Sequence, residues 1–417
     1  MARRWVSAIF ALLLCSILHG QDAYDEWKGV YHRYHENVTA STPAPRGYKP
    51  FYISHIGRHG SRYPVNPGYV GNGLGPLARA DSLGLLSAEG KRLLSGFRQL
   101  DSTSQGVYGL ITGLGGDEQQ QIARRMVARY PKVFKQKDRD SIACYATHKQ
   151  RTILSMANFA SALASCAPRV HIGFVAGEKY YDVMCREEMA ASGLKGGSRK
   201  ADKAMAEQFD YQAFYSRIFT DPIRARSCFK SDRLMVETCV TNGAVADYMG
   251  IHDILYSLTP EEFRIAASIY NAKQFYQHCG SAEQGEWRMH IMDPLVLDFI
   301  RRADAALAGN RVAADLRFSH DVGMMPFFSL IGLKGYDRRL PFEEVNSYWN
   351  STYMMPMAAN LQFVFFRGRK GDVIVKVLLN EGESSIPALG PGPFYAWSSL
   401  RSYLVSLVSG DGAGFAM

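Results

Sequence analysis

Three short polar motifs, each set at the end of an apolar run, constrain this chain more than any other feature. Residues 51–56 (FYISHI) read as a buried strand, and after Gly57 comes RHGSR, from Arg58 to Arg62. Residues 141–146 (SIACYA) read as a second strand, which passes through THKQR into the helical spacing of TILSMANFASAL. A third strand, AADLRF at 313–318, ends in SHD, with an apolar helix expected from about Val322 to Ile331. A strand that ends in a polar motif and turns into a helix is the unit of open α/β sheets. Such sheets bind ligands at the carboxyl ends of their strands. The pattern predicts an α/β fold: a central, mainly parallel sheet flanked by helices.

Other elements have legible ends. Asp117 precedes EQQQIARRMVARY, which Pro131 stops, and Thr259-Pro260-Glu261-Glu262 carries the marks of a capping box. LQFVFFRGRKGDVIVKVLL reads as two strands around a turn at Gly368 to Gly371. Between the second and third motif strands, β-rich runs are few. The expected division is therefore residues 21–175 and 293–417 as the α/β domain, with 176–292 as an inserted, mostly α-helical domain. The basic run KGGSRKADK, at 195–203, reads as a loop of that insertion.

Residues 1–20 stand apart as a signal peptide: Arg3 and Arg4, then an uncharged apolar run from Trp5 to Leu18, then small Gly20. The run is shorter than the roughly 20 apolar residues of a membrane anchor. Cys15 within it raises a lipoprotein as an alternative. The expected localisation is exported, periplasmic or secreted. Export makes the remaining cysteines, Cys144, Cys166, Cys185, Cys228, Cys239 and Cys279, an even set able to form disulfides, with Cys228 and Cys239 a plausible pair. No C-x-x-C spacing occurs, which argues against a zinc site. Two sequons, at Asn37 and Asn350, matter only in a eukaryotic secretory route. The net charge of +9 fits a negatively charged partner or an ordinary solvated basic surface.

The motifs name the chemistry. A phosphoryl group needs preorganised positive charge at its non-bridging oxygens, and arginine offers a planar fork of paired donors. Gly57 and Gly60 let backbone approach a ligand. A neutral imidazole among arginines keeps a nitrogen lone pair, so His59 is a candidate nucleophile; a basic surface turn is the plainer alternative. Arg151 lies one turn into a helix, where anions are attracted, with His148 and Lys149 beside it; singly, these also fit solvated charges at a helix start. Asp321 is a candidate general acid, or simply a helix cap. Together they place cation, nucleophile and acid at three strand ends of one sheet.

RHGSR, the T-x-x-x-R of THKQR and the distant His320-Asp321 resemble the histidine acid phosphatases, branch 2 of the histidine phosphatase superfamily. The long form RHGSRYP, the stretch GLGGDEQQQIARRMVARYPKVF at 113–134 and LLNE at 378–381 are similar to multiple inositol polyphosphate phosphatases and bacterial phytases. The resemblance spans nearly all of the chain after residue 20. It implies His59 as the residue that becomes phosphorylated, Arg58, Arg62, Arg151 and His320 as ligands of the transferred phosphate, and Asp321 as proton donor. It implies no metal and no cofactor, and a helical domain that roofs the site. One departure stands out. The inositol polyphosphate subgroup carries H-A-E at the third motif, whereas here Asp321 directly follows His320, as in the general acid phosphatases and related phytases. EKYYD, at 178–182, stands where the subgroup has an arginine followed by aromatics and Asp. Lys179 is therefore a candidate contact for a non-reacting phosphate, or an ordinary surface lysine. His148 and Lys149 are further candidates.

The expected function is a phosphomonoesterase acting on phytate and other inositol polyphosphates through a phosphohistidine. One alternative is a broad-specificity acid phosphatase on simple or sugar phosphates. Another is an exported protein that binds phosphorylated ligands without turnover, although such a binder has no need of nucleophile and acid together. The expected partner is a small polyanion. Nucleic acid is not expected, because no aromatic-basic platform is present, nor is stable membrane insertion; the chain is read as a monomer or an oligomer of unspecified order. An unperturbed Asp321, with a pKa of about 3.9, would favour acidic conditions.

Overall fold

The computed structural model describes residues 23–35, 41–186, 194–284 and 286–408; the expected leader at 1–20, Cys15 and the Asn37 sequon lie outside them. In chain order, β1 (Lys49–Arg58) is followed by α1 (Pro67–Ser82), α2 (Ala88–Ser104) and α3 (Gly113–Arg129). Next come β2 (Ser141–Ala146), α4 (Gln150–Cys166) and β3 (His171–Ala176). Every described element from there to Leu307 is helical: α5 (Glu178–Met184), α6 (Leu194–Gln208), α7 (Tyr211–Ile218), α8 (Pro222–Arg226), α9 (Asp232–Asp247), α10 (Pro260–His278), α11 (Trp287–His290) and α12 (Asp293–Leu307), with one short 3-10 turn. The chain then returns to the sheet through β4 (Val312–Ser319), α13 (Asp321–Leu330), α14 (Ser351–Met354), β5 (Asn360–Arg367), β6 (Val373–Leu379), β7 (Gly382–Glu383), β8 (Phe394–Ala396) and α15 (Trp397–Val408).

The strands form one sheet in the order β3-β2-β4-β1-β5-β6-β7, with β8 paired to β6. β3, β2, β4 and β1 run parallel, and β5 begins an antiparallel arm. β1 is buried at all but its first two positions, as a strand covered on both faces must be. The register explains the site. Arg58 pairs with Ser319, and Ala146 pairs with Phe318. The three polar motifs therefore leave the sheet side by side at one level.

Both faces are covered. α3 and α4 pack Ile122, Met126, Phe159 and Leu163 on one side. α12 and α13 bring Leu295, Phe299 and Phe327 to the other, in a core continuous with the helical part. That helical part also draws in α1 and α2. Leu86, between them, bridges to Phe219, and Gly90 sits so close to Ile218 that a Cβ there would lie 2.2 Å from its carbonyl oxygen.

Several local expectations are corrected. α3 starts at Gly113, one turn before the Asp117 boundary, because Thr112 caps it by accepting from the Gly115 N–H at 3.2 Å. KGGSRKADK lies within α6, where Gly196 and Gly197 allow close packing on Tyr276 and Gln277 of α10. β3 escaped the sequence pattern because it is an edge strand exposed at nearly every residue, so it shows no alternation. No disulfide joins any two of the six described cysteines, which corrects the expected disulfides and the Cys228–Cys239 pair. Cys144, Cys185, Cys239 and Cys279 are buried on separate elements, and burial pushes the Cys144 and Cys239 thiols up to about 12. No described helix is long and apolar enough to cross a membrane.

Candidate active site

The RHGSR loop is held from three sides. The Arg58 N–H donates to Ala359 O at 2.8 Å, the His59 N–H donates to Ser319 O at 3.1 Å, and His59 O accepts from the Ala358 N–H at 3.0 Å. From above, α3 closes on the loop backbone to backbone. A Cβ on Gly60 would lie 2.2 Å from Gly115 O, and one on Gly115 would lie 2.1 Å from Ser61 O. Glycine is required at both positions. Buried Glu118 then accepts from the Ser61 N–H and hydroxyl, each at 2.7 Å, and from the Tyr34 N–H at 2.8 Å. Gln119 donates to Arg58 O at 2.8 Å. The glycine-rich start of α3 is thus a clamp on the nucleophile loop.

His59 Nδ1 lies 3.0 Å from Gly60 O. A carbonyl oxygen only accepts, so Nδ1 carries the proton and Nε2 keeps its lone pair. Nε2 is directed to a cavity of about 390 Å3 that His59 lines with Arg62, Lys149, Arg151, His320 and Asp321. The His59 and His320 rings lie 5.6 Å apart, and His320 Nε2 is 3.0 Å from the Thr147 hydroxyl. Burial, with Arg151 and Arg58 next, holds both imidazoles well below the usual histidine range. Both therefore favour the neutral form near pH 7, which leaves the His59 Nε2 lone pair unprotonated.

Arg58 is fully buried beneath this cavity. Its Nη1 donates to Val30 O at 2.5 Å and to Met355 O at 3.0 Å, and its Nη2 donates to Asp321 Oδ2 at 2.7 Å. Asp321 is the first residue of α13, not its cap; His320 holds the cap position. Burial pushes the Asp321 carboxyl up, but Arg58, Arg62, His278 and Arg151 together outweigh it and hold the group below its ordinary value. The arginines thus favour the carboxylate form of the expected acid.

These features make a phosphoryl site: a neutral nucleophile at the base of a cationic cavity, with a carboxyl group beside it. Residues 53–173 and 229–380 match the model of the histidine phosphatase superfamily, branch 2. The chain belongs to that superfamily. It is a phosphatase of this branch, and no curated protein matches it. Its fold is similar to that of the Bifidobacterium longum multiple inositol polyphosphate phosphatase in complex with inositol hexasulfate. That structure shares 20% identity and a TM-score of 0.77, over 91% of this chain and 97% of the other. The phytase from D. castellii is similar at 15% identity and a TM-score of 0.68, over 93% and 86% of the two chains. The Hafnia alvei phytase in complex with myo-inositol hexakis sulphate gives 13% identity and a TM-score of 0.55, over 88% and 99%.

Within this histidine phosphatase, His59, Arg62, Arg151, His320 and Asp321 converge on the cavity, as does Lys149. Arg58 reaches it through Asp321. His148 instead packs its ring on Tyr181, 4.9 Å between centroids. Lys179 is exposed and is not part of the described lining. The reason is helical geometry: EKYYD forms α5, and Tyr181 turns inward toward His148 and His320. A residue two positions away on a helix points to the opposite side.

The roof was not legible from the motifs. Tyr31, Tyr69, Tyr270, Gln274, Gln277 and His278 all line the cavity. Four of them fall at 270, 274, 277 and 278, one face of α10 by the 3.6-residue period. That stripe of polar groups inside an amphipathic helix was the available signal. Glu118 was missed as well, although it lies inside the quoted GLGGDEQQQ stretch.

Proposed function

We propose that this phosphatase is an exported phosphomonoesterase acting on phytate and other inositol polyphosphates through a covalent phosphohistidine. The observation that carries the reading is the neutral His59 Nε2 at the base of a cavity shared by Arg62, Arg151, His320 and Asp321. Arg62 and Arg151 bind the non-bridging oxygens and stabilise charge in the transition state. Nε2 attacks phosphorus, the P–O ester bond breaks, and the leaving oxygen takes a proton from Asp321. In the second step the Asp321 carboxylate takes a proton from water, whose oxygen attacks phosphorus as the P–N bond breaks.

Because the surrounding arginines favour the Asp321 carboxylate, it gains its proton with the substrate. A bound phosphate neutralises the arginine field that depresses Asp321, and a phosphate monoanion brings the proton. The Arg3-Arg4 start and the apolar run to Leu18 support export, and Lys149 supports a second phosphate contact. One observation favours a second reading, a broad-specificity acid phosphatase: the roof on α10 carries tyrosine, amide and imidazole groups rather than cations.

The test is phosphate release from phytate and from 4-nitrophenyl phosphate by the metal-free mature protein, beside His59→Ala. Turnover of phytate in the wild type and none in the variant is expected. Turnover of the aryl ester alone moves the assignment to the broad phosphatase. Binding of phytate with no turnover of either overturns the catalytic reading.

A further inference from the structure

The cavity holds a third imidazole that the reaction steps do not use. His278 ends α10, is buried, and lines the cavity with Asp321. Its Nδ1 lies 3.2 Å from Nη2 of Arg288, a fully buried residue of α11. A guanidinium only donates, so Nδ1 accepts and the ring proton is held at Nε2. Among the described residues nothing bonds to Nε2, and it is not among the buried polar atoms left without a partner. It therefore opens on the cavity that His278 lines.

We propose that His278 contacts the substrate: Arg288 locks its neutral Nε2–H tautomer, and that N–H binds an oxygen of the leaving group beside the one Asp321 protonates. This deepens the proposed function and rests on it. The placement follows from the two sides of the cavity. His59, Arg62 and Arg151 face the phosphoryl group, while Asp321 faces the departing oxygen, so a donor on the Asp321 side meets the leaving group. Gln274 and Gln277 share the face of α10, which makes the wall a row of neutral polar groups suited to an oxygen-rich ring.

Neutrality has a use here. Three charged groups face His278: Arg288 from α11, Lys273 from α10 and Asp321 from α13. Burial, then Arg288, brings the imidazole down to about 3. A neutral donor orients a hydroxyl or ester oxygen without adding a cation that would retain the product. The class of ligand selected is a polyol phosphate, over an ester whose leaving group has no oxygen next to the scissile bond.

The experiment measures inhibition of 4-nitrophenyl phosphate turnover by myo-inositol hexasulfate and, separately, by inorganic phosphate. Phosphate alone occupies the cationic side, whereas the hexasulfate reaches the roof. In His278→Ala the inhibition constant for hexasulfate should rise about tenfold, the loss of one hydrogen bond. The constant for phosphate should stay within about twofold. His278→Gln, whose amide nitrogen reaches the place of Nε2, should recover most of the difference. If the alanine variant does not fold, His278→Phe keeps the ring volume without the N–H. Equal losses for both inhibitors, no loss for either, or a wild type that hexasulfate does not inhibit would overturn the proposal. If phytate is not hydrolysed but hexasulfate inhibition still depends on His278, the substrate reading fails and takes the leaving-group role with it, while the contact of His278 with an oxygen-rich ring is upheld.

Discussion

The two walls of the cavity are built on different principles. The floor is made of strand ends: Arg58 at the end of β1 and His59 after it, Thr147 and Arg151 after β2, His320 and Asp321 after β4. It is dense in charge, and parallel registers with backbone clamps fix its geometry to within a hydrogen bond. The roof is one face of a helix, with Tyr270, Gln274, Gln277 and His278. It is neutral and is placed by packing and hydrogen bonds to residues of other elements, such as Asn271 to Trp349 O and Arg288 to His278. The difference assigns the work. On the proposed function, the floor supplies the phosphoryl chemistry, while the roof supplies what distinguishes one phosphate ester from another.

That division breaks most readily at Arg151. Replacing it with methionine removes a guanidinium from the transferred phosphoryl group and should lower kcat/KM about a hundred- to a thousandfold on every substrate, aryl or inositol. A loss confined to inositol phosphates would mean that Arg151 serves specificity, and the floor and roof would no longer be separable. Glu118→Ala tests the floor from behind. It strips the acceptor from three donors, the buried Ser61 N–H and hydroxyl and the half-buried Tyr34 N–H. The expected cost is about 2–4 kcal/mol of stability, read from denaturant midpoints. An unchanged midpoint would show that the α3 clamp is not needed to hold the loop.

These two residues also mark what the sequence could reveal. Arg151 and the other floor residues were legible because their information is local: a strand, a polar motif and a helix, in sequence order. The three motif strands and the capping box of α10 followed for the same reason, since Thr259 and Glu262 satisfy one another within a single turn. Glu118 was not legible as a clamp, because its partners lie 57 and 84 residues away. The roof residues were hidden for a related reason. Periodicity shows that 270, 274, 277 and 278 share a face, but nothing local says what that face looks upon. Lys179 went astray the other way: alignment of EKYYD with a family motif said nothing of which side of α5 would turn inward.

The pH profile sharpens the floor further. Asp321 is held below its ordinary value by the arginines around it, so before substrate binds it is a carboxylate. The proton for the leaving oxygen then comes from the substrate monoanion. A phosphate monoester loses that proton near a pKa of about 6, so kcat/KM should fall about tenfold per pH unit above it. A substrate with a more acidic phosphate should move this limb to lower pH by the difference in second pKa. A limb that stays fixed across substrates would assign the proton to the enzyme instead, and Asp321 would need to be raised rather than lowered.

The smallest effect belongs to the roof. Gln274 is buried on the same face of α10 as His278, one turn before it, and lines the same cavity. Its amide is neutral and flexible, and a contact of this kind is worth about 1 kcal/mol. Gln274→Leu keeps the volume and should change KM for an inositol phosphate about three- to fivefold, with kcat nearly unaltered, because the contact is made alike in ground and transition states. For the aryl ester both constants should hold. If kcat falls and KM does not, the roof contributes to the transition state, and the assignment of chemistry to the strand ends and selection to the helix fails at its weakest point.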